Sequence, residues 1–255
     1  MSTPRMTAPL PPLSPNAWLR WEVVEQLLPP GRLDVLEVGC GQGGFGARLA
    51  QRFRYLGIEP DAISCAVAEQ RVAPAGGEVR NGDLSVVGAD ELFDLVVAFE
   101  VIEHIEDDVD ALAGWASRLR PGGWLLLSTP AWQKRFGPAD EMVGHFRRYD
   151  PPVLRDRLAK VGLTDIELVH FGAPLGYLLE AGRNAVGKRR LASPAAPASA
   201  ASMAERSDAS GRTLQPSTSW TATAARLGTL PFRKLQRAFP GTGPGLVGRA
   251  RKPVA

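Results

Sequence analysis

The run VLEVGCGQGG at residues 35–44 constrains the fold more than any other part of the chain. An apolar stretch ends at Val38, glycines stand at 39, 41 and 44, and FGARLAQRF (45–53) follows with helical composition. A strand that turns through glycines straight into a helix opens an α/β unit, and its backbone N–H groups ordinarily cradle a pyrophosphate. Glu37 conflicts with that use. It stands at the strand tip just before the glycines, where its charge repels phosphate and favours a ligand carrying an ammonium or sulfonium group.

The alternation continues along the chain. A Pro-rich lead (1–15) precedes a helix in NAWLRWEVVEQLL, which stops at Pro29-Pro30-Gly31. Strands are predicted at 33–38, 55–59, 77–83, 93–99, 124–129 and 164–171, with helices at 45–53, 61–71, 107–119 and 151–162 between them. LRPGG (119–123) reads as a turn ending one helix before the next strand. Strands that are apolar nearly throughout and separated by helices imply a parallel sheet covered on both faces, and right-handed crossovers make it doubly wound. The expected organisation is an N-terminal extension and helix (1–32), a core (33–171), and a helical and partly disordered basic section (172–255) ending in a last strand at GLVGRARK.

Charge marks that third section as different. Residues 1–182 carry 17 Lys/Arg against 25 Asp/Glu and residues 183–255 carry 13 against 2, so the net +3 joins an acidic body to a basic tail. From residue 188 to about 219 the chain is rich in Ala, Ser, Pro and Arg without apolar periodicity and reads as a mobile insertion. Order is expected to return at LGTLPFRKLQRAF, with Phe232, Leu235 and Phe239 on one helical face and Arg233, Lys234 and Arg237 elsewhere. Cys40 and Cys65 fit no ligand or disulfide pattern, the first residues lack the apolar core of a signal peptide, and no apolar run approaches a span, so a cytoplasmic location is expected.

Two further acids sit at strand tips. Glu59 ends the second strand, 20 residues after Gly39, where an acid accepts from ribose hydroxyls. Asp83 closes the third strand in NGDL, placed to accept from an exocyclic adenine amine. Three carboxylates on three successive tips describe a pocket for an adenosine with a cationic tail.

With VLEVGCGQGG, LGIEPD, NGDL, FDLVVAFEVIEHI and LRPGGWLLLSTP in this order, the chain resembles the class I S-adenosylmethionine (SAM)-dependent methyltransferases of small-molecule type over roughly residues 33–171. The resemblance implies a Rossmann-like sheet of order 3-2-1-4-5-7-6 with strand 7 antiparallel, and a C-terminal insertion between strands 6 and 7. It also implies that Glu37 and Gly39, Cys40 and Gly41 hold the methionine part of SAM, Glu59 the ribose, and Asp83 with Leu84 the adenine, with Pro60 and Phe99 also contacting the cofactor and S-adenosylhomocysteine (SAH) as product.

Methyl transfer from a sulfonium needs alignment and, for a hydroxyl acceptor, a base. EVIEHIEDD follows the fourth strand. If it begins a helix, Glu100, Glu103 and His104 share one side. His104 can act as the base, the three can hold a divalent metal, or His104 can simply bond to backbone. EVIEH is similar to the matching segment of ubiquinone-pathway O-methyltransferases, and of small-RNA 3′-end 2′-O-methyltransferases, where Glu, Glu and His bind metal and a further histidine completes the site. His145 in GHFRRYD is the counterpart here. His145, Arg147, Arg148 and Tyr149 overhang the expected acceptor pocket, with Arg suited to carboxylate or phosphate. His170 reads as a core or edge histidine.

The expectation is methylation of a small-molecule oxygen, with His104, His145 and Glu103 as catalytic residues and Glu100, Glu103, His104 and His145 as metal candidates. The alternatives are an RNA methyltransferase with a metal-assisted site, a non-catalytic SAM-binding module and an NAD-dependent dehydrogenase, the last opposed by Glu37. Nucleic-acid partners are not expected, since no RNA-binding module is recognisable. The basic tail, with LPFRKLQRAF as an interfacial helix, marks a peripheral membrane contact as a further expectation.

Overall fold

The computed structural model describes residues 10–192 and 219–254, and seven strands form one sheet in the order β3-β2-β1-β4-β5-β7-β6. These are β1 (Asp34–Val38), β2 (Arg54–Glu59), β3 (Glu78–Asn81), β4 (Phe93–Phe99), β5 (Leu119–Pro130), β6 (Thr164–Phe171) and β7 (Gly245–Arg251). The first five are parallel, while β7 runs antiparallel to both neighbours, β5 and β6. This is the Rossmann-like sheet expected from the sequence.

Strand alternation splits the core into two layers. Val35, Leu95 and Val97 face one side with α1 (Pro15–Leu27), α2 (Gly46–Ala50) and α3 (Ala62–Val72). Leu36 and Val96 face the other with α4 (Asp108–Ser117) and α6 (Pro151–Lys160). Both faces are thus covered, as the continuous apolar runs require. The chain order reverses at β1 between β2 and β4, which opens a crevice at the strands' carboxyl ends.

Local chemistry sets the helix starts. Ser14 caps α1 by accepting from the Ala17 N–H (3.3 Å), with Pro15 at the first turn, and Asp61 caps α3 through Ser64 N–H (3.1 Å). Three predicted boundaries shift. β5 begins at Leu119, not 124: Leu119 pairs with Phe93, the register then slips, and Gly122 takes φ +79°, so LRPGG is an irregular part of the strand. The second helix is only five residues long. β3 stops at Asn81, and Asp83 lies beyond it, capping a 3-10 turn over Leu84–Val86.

After β6, α7 (Leu175–Leu191) packs on α5 (Pro138–Val143), and α8 (Ser219–Leu235) packs on α1. The predicted mobile insertion falls mainly on 193–218, outside the described residues. The expected face of the last helix is corrected. Phe232 packs toward the core, but Leu235 and Phe239 are exposed. Arg233 instead turns inward, pairing with Glu22 (2.7 Å) and covering Trp18, and Arg237 also bonds Glu22. Both arginines of the expected interfacial helix are therefore engaged by α1. No helix of the described residues is long and apolar enough to cross a membrane.

Candidate active site

A cavity of about 1610 Å³ runs from the carboxyl ends of β1–β3 to the underside of α5 and α7. Its floor is the glycine turn. Gly39, Gly41 and Gly43 all take positive φ (+66°, +54° and +74°), and a Cβ on Gly39 would come within 2.8 Å of Val101. Gly39 and Cys40 N–H both donate to Ile58 O (2.9 and 3.0 Å), which ties the turn to β2.

The carboxylates expected around the cofactor line this cavity, each in a distinct state. Glu37 is buried at the end of β1 and accepts from Tyr55 Oη (2.5 Å). Burial pushes its pKa up to about 8, against the pull of Tyr55 and Arg20. A ligand cation at this point therefore meets a carboxyl poised to lose its proton. Glu59 is also buried and braces the turn, with Oε2 accepting from Gly41 N–H (2.8 Å) and Oε1 from Asp61 N–H (3.0 Å). Asp83 is exposed at the rim and accepts from Ser85 N–H (2.9 Å), an arrangement that lowers its pKa. Pro60, Leu84 and Phe99 line the same cavity, Phe99 edge-on to Phe45 (5.0 Å between rings).

Past β4 the four metal candidates separate. Only Ile102–His104 is helical, a single 3-10 turn, and Glu100 before it has φ +57°, so the helical spacing assumed from sequence does not apply. Glu100 turns to Arg20 (3.0 Å) and Ser128 (3.0 Å). Glu103, His104 and His145 come together, one ligand atom from each lying within 4.8 Å of the others. Glu103 is fully buried, neither carboxylate oxygen is hydrogen-bonded by a described residue, and burial beside Glu100 drives its pKa well up. His104 and His145 pack edge to face at 4.6 Å. Burial, with His145 alongside, lowers the His104 pKa to about 4, too low for an efficient base at neutral pH.

His145 is differently placed. Its Nδ1 lies 2.8 Å from Asp140 Oδ1, and its Nε2 points to Glu103 (3.9 Å). Since an ionised carboxylate only accepts, Nδ1 donates to Asp140, and in the neutral ring the lone pair is then on Nε2. Asp140 is held by Arg148, whose NH1 donates to Glu180 on α7 (2.8 Å), and Arg135 completes the chain on Glu180.

Three of the expected acceptor contacts are corrected. Arg147 is tied to Glu106 O (2.6 Å) and Asp108 (2.9 Å), Tyr149 is fully buried against Asp108 (2.9 Å), and Arg148 spends its donors on Asp140 and Glu180. Tethering to α4 takes Arg147 and Tyr149 away from the cavity. His170, buried on the edge strand β6, stacks on Trp132 at 5.0 Å. The sequence reading missed Arg20, which lies over Phe45 (5.0 Å) at the cavity wall, and Asp140, Glu180 and Arg183, whose roles depend on partners distant in sequence.

Comparison with known proteins agrees with this geometry. Residues 17–168 match the family described as "Methyltransferase domain", more than half of the chain. The chain belongs to that family, and its fold is that of the class I methyltransferases. A Mycolicibacterium smegmatis protein named "Probable S-adenosylmethionine-dependent methyltransferase" is 40% identical over 122 residues, 45% of this chain and 46% of the relative. A ubiquinone biosynthesis O-methyltransferase of Leptothrix cholodnii is 33% identical over 120 residues, 44% of this chain and 50% of the relative. The chain thus spans about half the length of the curated relatives it matches. Haemonchus contortus phosphoethanolamine N-methyltransferase 2, solved with SAM, superposes with TM-score 0.57 at 20% identity, covering 92% of this chain and 52% of that one. At that identity the likeness concerns the fold.

Proposed function

We propose that this chain transfers the methyl group of SAM to an oxygen of a small-molecule acceptor, with His145 as the base. The observation that carries the reading is the single cavity joining the acidic strand tips to the Nε2 of a histidine oriented by Asp140. The adenosine end fits Glu59, Pro60, Asp83, Leu84 and Phe99; the turn Gly39–Gly41 with Cys40 and Glu37 fits the methionine end, where the Glu37 carboxylate faces the cationic ammonium and sulfonium. The acceptor hydroxyl loses its proton to His145 Nε2 as its oxygen attacks the methyl carbon and the C–S bond breaks, leaving neutral SAH. Asp140 stabilises the imidazolium that forms. The name of the ubiquinone-pathway relative also supports oxygen as the acceptor atom.

The cluster of Glu103, His104 and His145 favours a second reading. The two orphaned Glu103 oxygens and the unpaired His104 Nδ1 suit a divalent cation, and Asp140 orients His145 as outer carboxylates do for metal-bound imidazoles. A cation held there would lower the acceptor hydroxyl's pKa. Turnover that survives exhaustive chelation favours the base, and turnover lost to chelation and restored by Mg²⁺ or Mn²⁺ favours the metal.

The primary test is thermal unfolding with SAH, SAM and NAD. At a hundredfold excess over Kd, a ligand stabilises by about 2.7 kcal/mol. A shift with SAH and SAM only is expected; a shift with NAD alone, or none, overturns the reading.

A further inference from the structure

The face of α7 that looks into the cavity is fixed at three points. Glu180, Arg183, Asn184 and Gly187 share one side of the helix at i, i+3, i+4 and i+7. Glu180 takes Arg148 and Arg135. Asn184 Oδ1 accepts the Ala139 N–H (3.1 Å). Gly187 lies so close to α5 that a Cβ would stand 2.9 Å from the Pro138 carbonyl. Arg183, between these anchors, lines the cavity and cannot be rotated away from it without breaking them.

Its charge is surplus. Around it, Arg20 is matched by Glu100, and Arg135 and Arg148 are matched by Asp140 and Glu180. Glu103 lies with His104 and His145 and pairs with no described arginine. Arg183 makes no hydrogen bond or ion pair with any described residue, although it is partly buried and burial lowers its pKa. A half-buried guanidinium without a partner adds nothing to the packing of α7 on α5, so folding alone does not account for it. On the same helix, Leu178, Val186 and Leu191 present apolar side chains to the same cavity.

We infer that Arg183 is the binding site for an anionic group, carboxylate or phosphate, on an acceptor with an apolar body. The planar guanidinium matches either oxyanion in a two-pronged geometry. The inference rests on the methyl-transfer reading in taking the occupant of this end to be the acceptor. The cofactor's own carboxylate belongs nearer Arg20, whose field acts on Glu37, whereas the charges acting on Arg183 are Glu100, Glu180, Arg148 and Asp140.

The test is calorimetric titration of the SAH-saturated full chain with benzoate, phenyl phosphate and the neutral benzyl alcohol, in wild type and Arg183→Met. One of the two anions is expected to bind at least tenfold more tightly than the alcohol, and which one does so tells carboxylate from phosphate. Arg183→Met removes that preference, leaves SAH affinity within twofold and does not lower the unfolding temperature of the ligand-free protein. Three results overturn the inference: no anion preference in wild type, a preference that survives Arg183→Met, or loss of SAH affinity in the variant, which would assign the guanidinium to the cofactor. Failure of wild type to bind SAH would sink the methyltransferase reading instead, and the same titrations on the ligand-free chain would still decide for or against the anion site.

Discussion

Asp140 Oδ1 stands 2.8 Å from His145 Nδ1 while its other oxygen takes Arg148 NH2 at 2.7 Å, so one carboxylate both orients the imidazole and neutralises a buried guanidinium. Asp140→Asn weakens both bonds. Outer carboxylate partners of functional histidines are worth about 10–100-fold, and breaking a buried pair costs about 3 kcal/mol. We expect kcat to fall in that range with SAH affinity unchanged, and the unfolding midpoint to drop. Steady-state kinetics, SAH titration and thermal melts of the variant check this; an unchanged kcat removes His145 from the base role.

Glu37 links cofactor binding to pH. Its folded pKa is about 8 against 4.5 for the free side chain, so the folded protein holds a proton that the unfolded chain releases. The stability from this group is full below about pH 4.5 and is lost as pH rises toward 8. A cationic ligand pulls the proton off, so SAM affinity should rise with pH through the same window. Glu37→Gln should flatten both trends, as read from melts and SAM titrations between pH 5 and 9.

Gly39 combines a positive φ with a close approach to Val101. Gly39→Ala should cost about 1–2 kcal/mol from the left-handed backbone alone, with more from the 2.8 Å clash. Adding Val101→Ala should recover only the steric part. A double-mutant cycle on unfolding free energy and SAH affinity separates the two; full recovery would mean that the backbone conformation is not strained by a side chain.

Glu22 joins α1 to Arg233 in the last turn of α8 and to Arg237 just beyond it. The two arginines lower its pKa despite burial, so its contribution is present above about pH 4.5 and disappears as pH falls below that. Because Arg237 is largely exposed while Glu22 and Arg233 are mostly buried, Glu22→Gln should cost between the surface-pair value of about 1 kcal/mol and the buried-pair value of about 3 kcal/mol. Denaturant unfolding at pH 7 and pH 4 checks it, the difference between variant and wild type shrinking at the lower pH.

The sheet was legible because its strands are apolar runs of ordinary length between helices, and the glycine-turn end of the cavity because Glu37 and its glycines are neighbours in sequence. The acceptor end was not. A glutamate with positive φ, as at Glu100, has no sequence signature, and that one dihedral sends it to Arg20 instead of to His104. Arg148 reads as a ligand-binding arginine until Glu180, 32 residues on, is seen to occupy it. α7 was hidden because its last turn, KRRL, merges into an Ala/Ser/Pro-rich stretch that carries no periodicity.

Phe171, the last residue of β6, pairs with Gly245, the first of β7. Residues 172–244 therefore leave and re-enter the sheet at the two sides of one ladder rung, like a fitting held in a single socket. Closing such a loop costs little more when it grows, about 0.6 kcal/mol for each doubling of length. This connection can thus be lengthened, shortened or exchanged while the strand tips at the other end of the cavity keep their places, which, on the function proposed above, makes the choice of acceptor separable from the chemistry of the methyl donor.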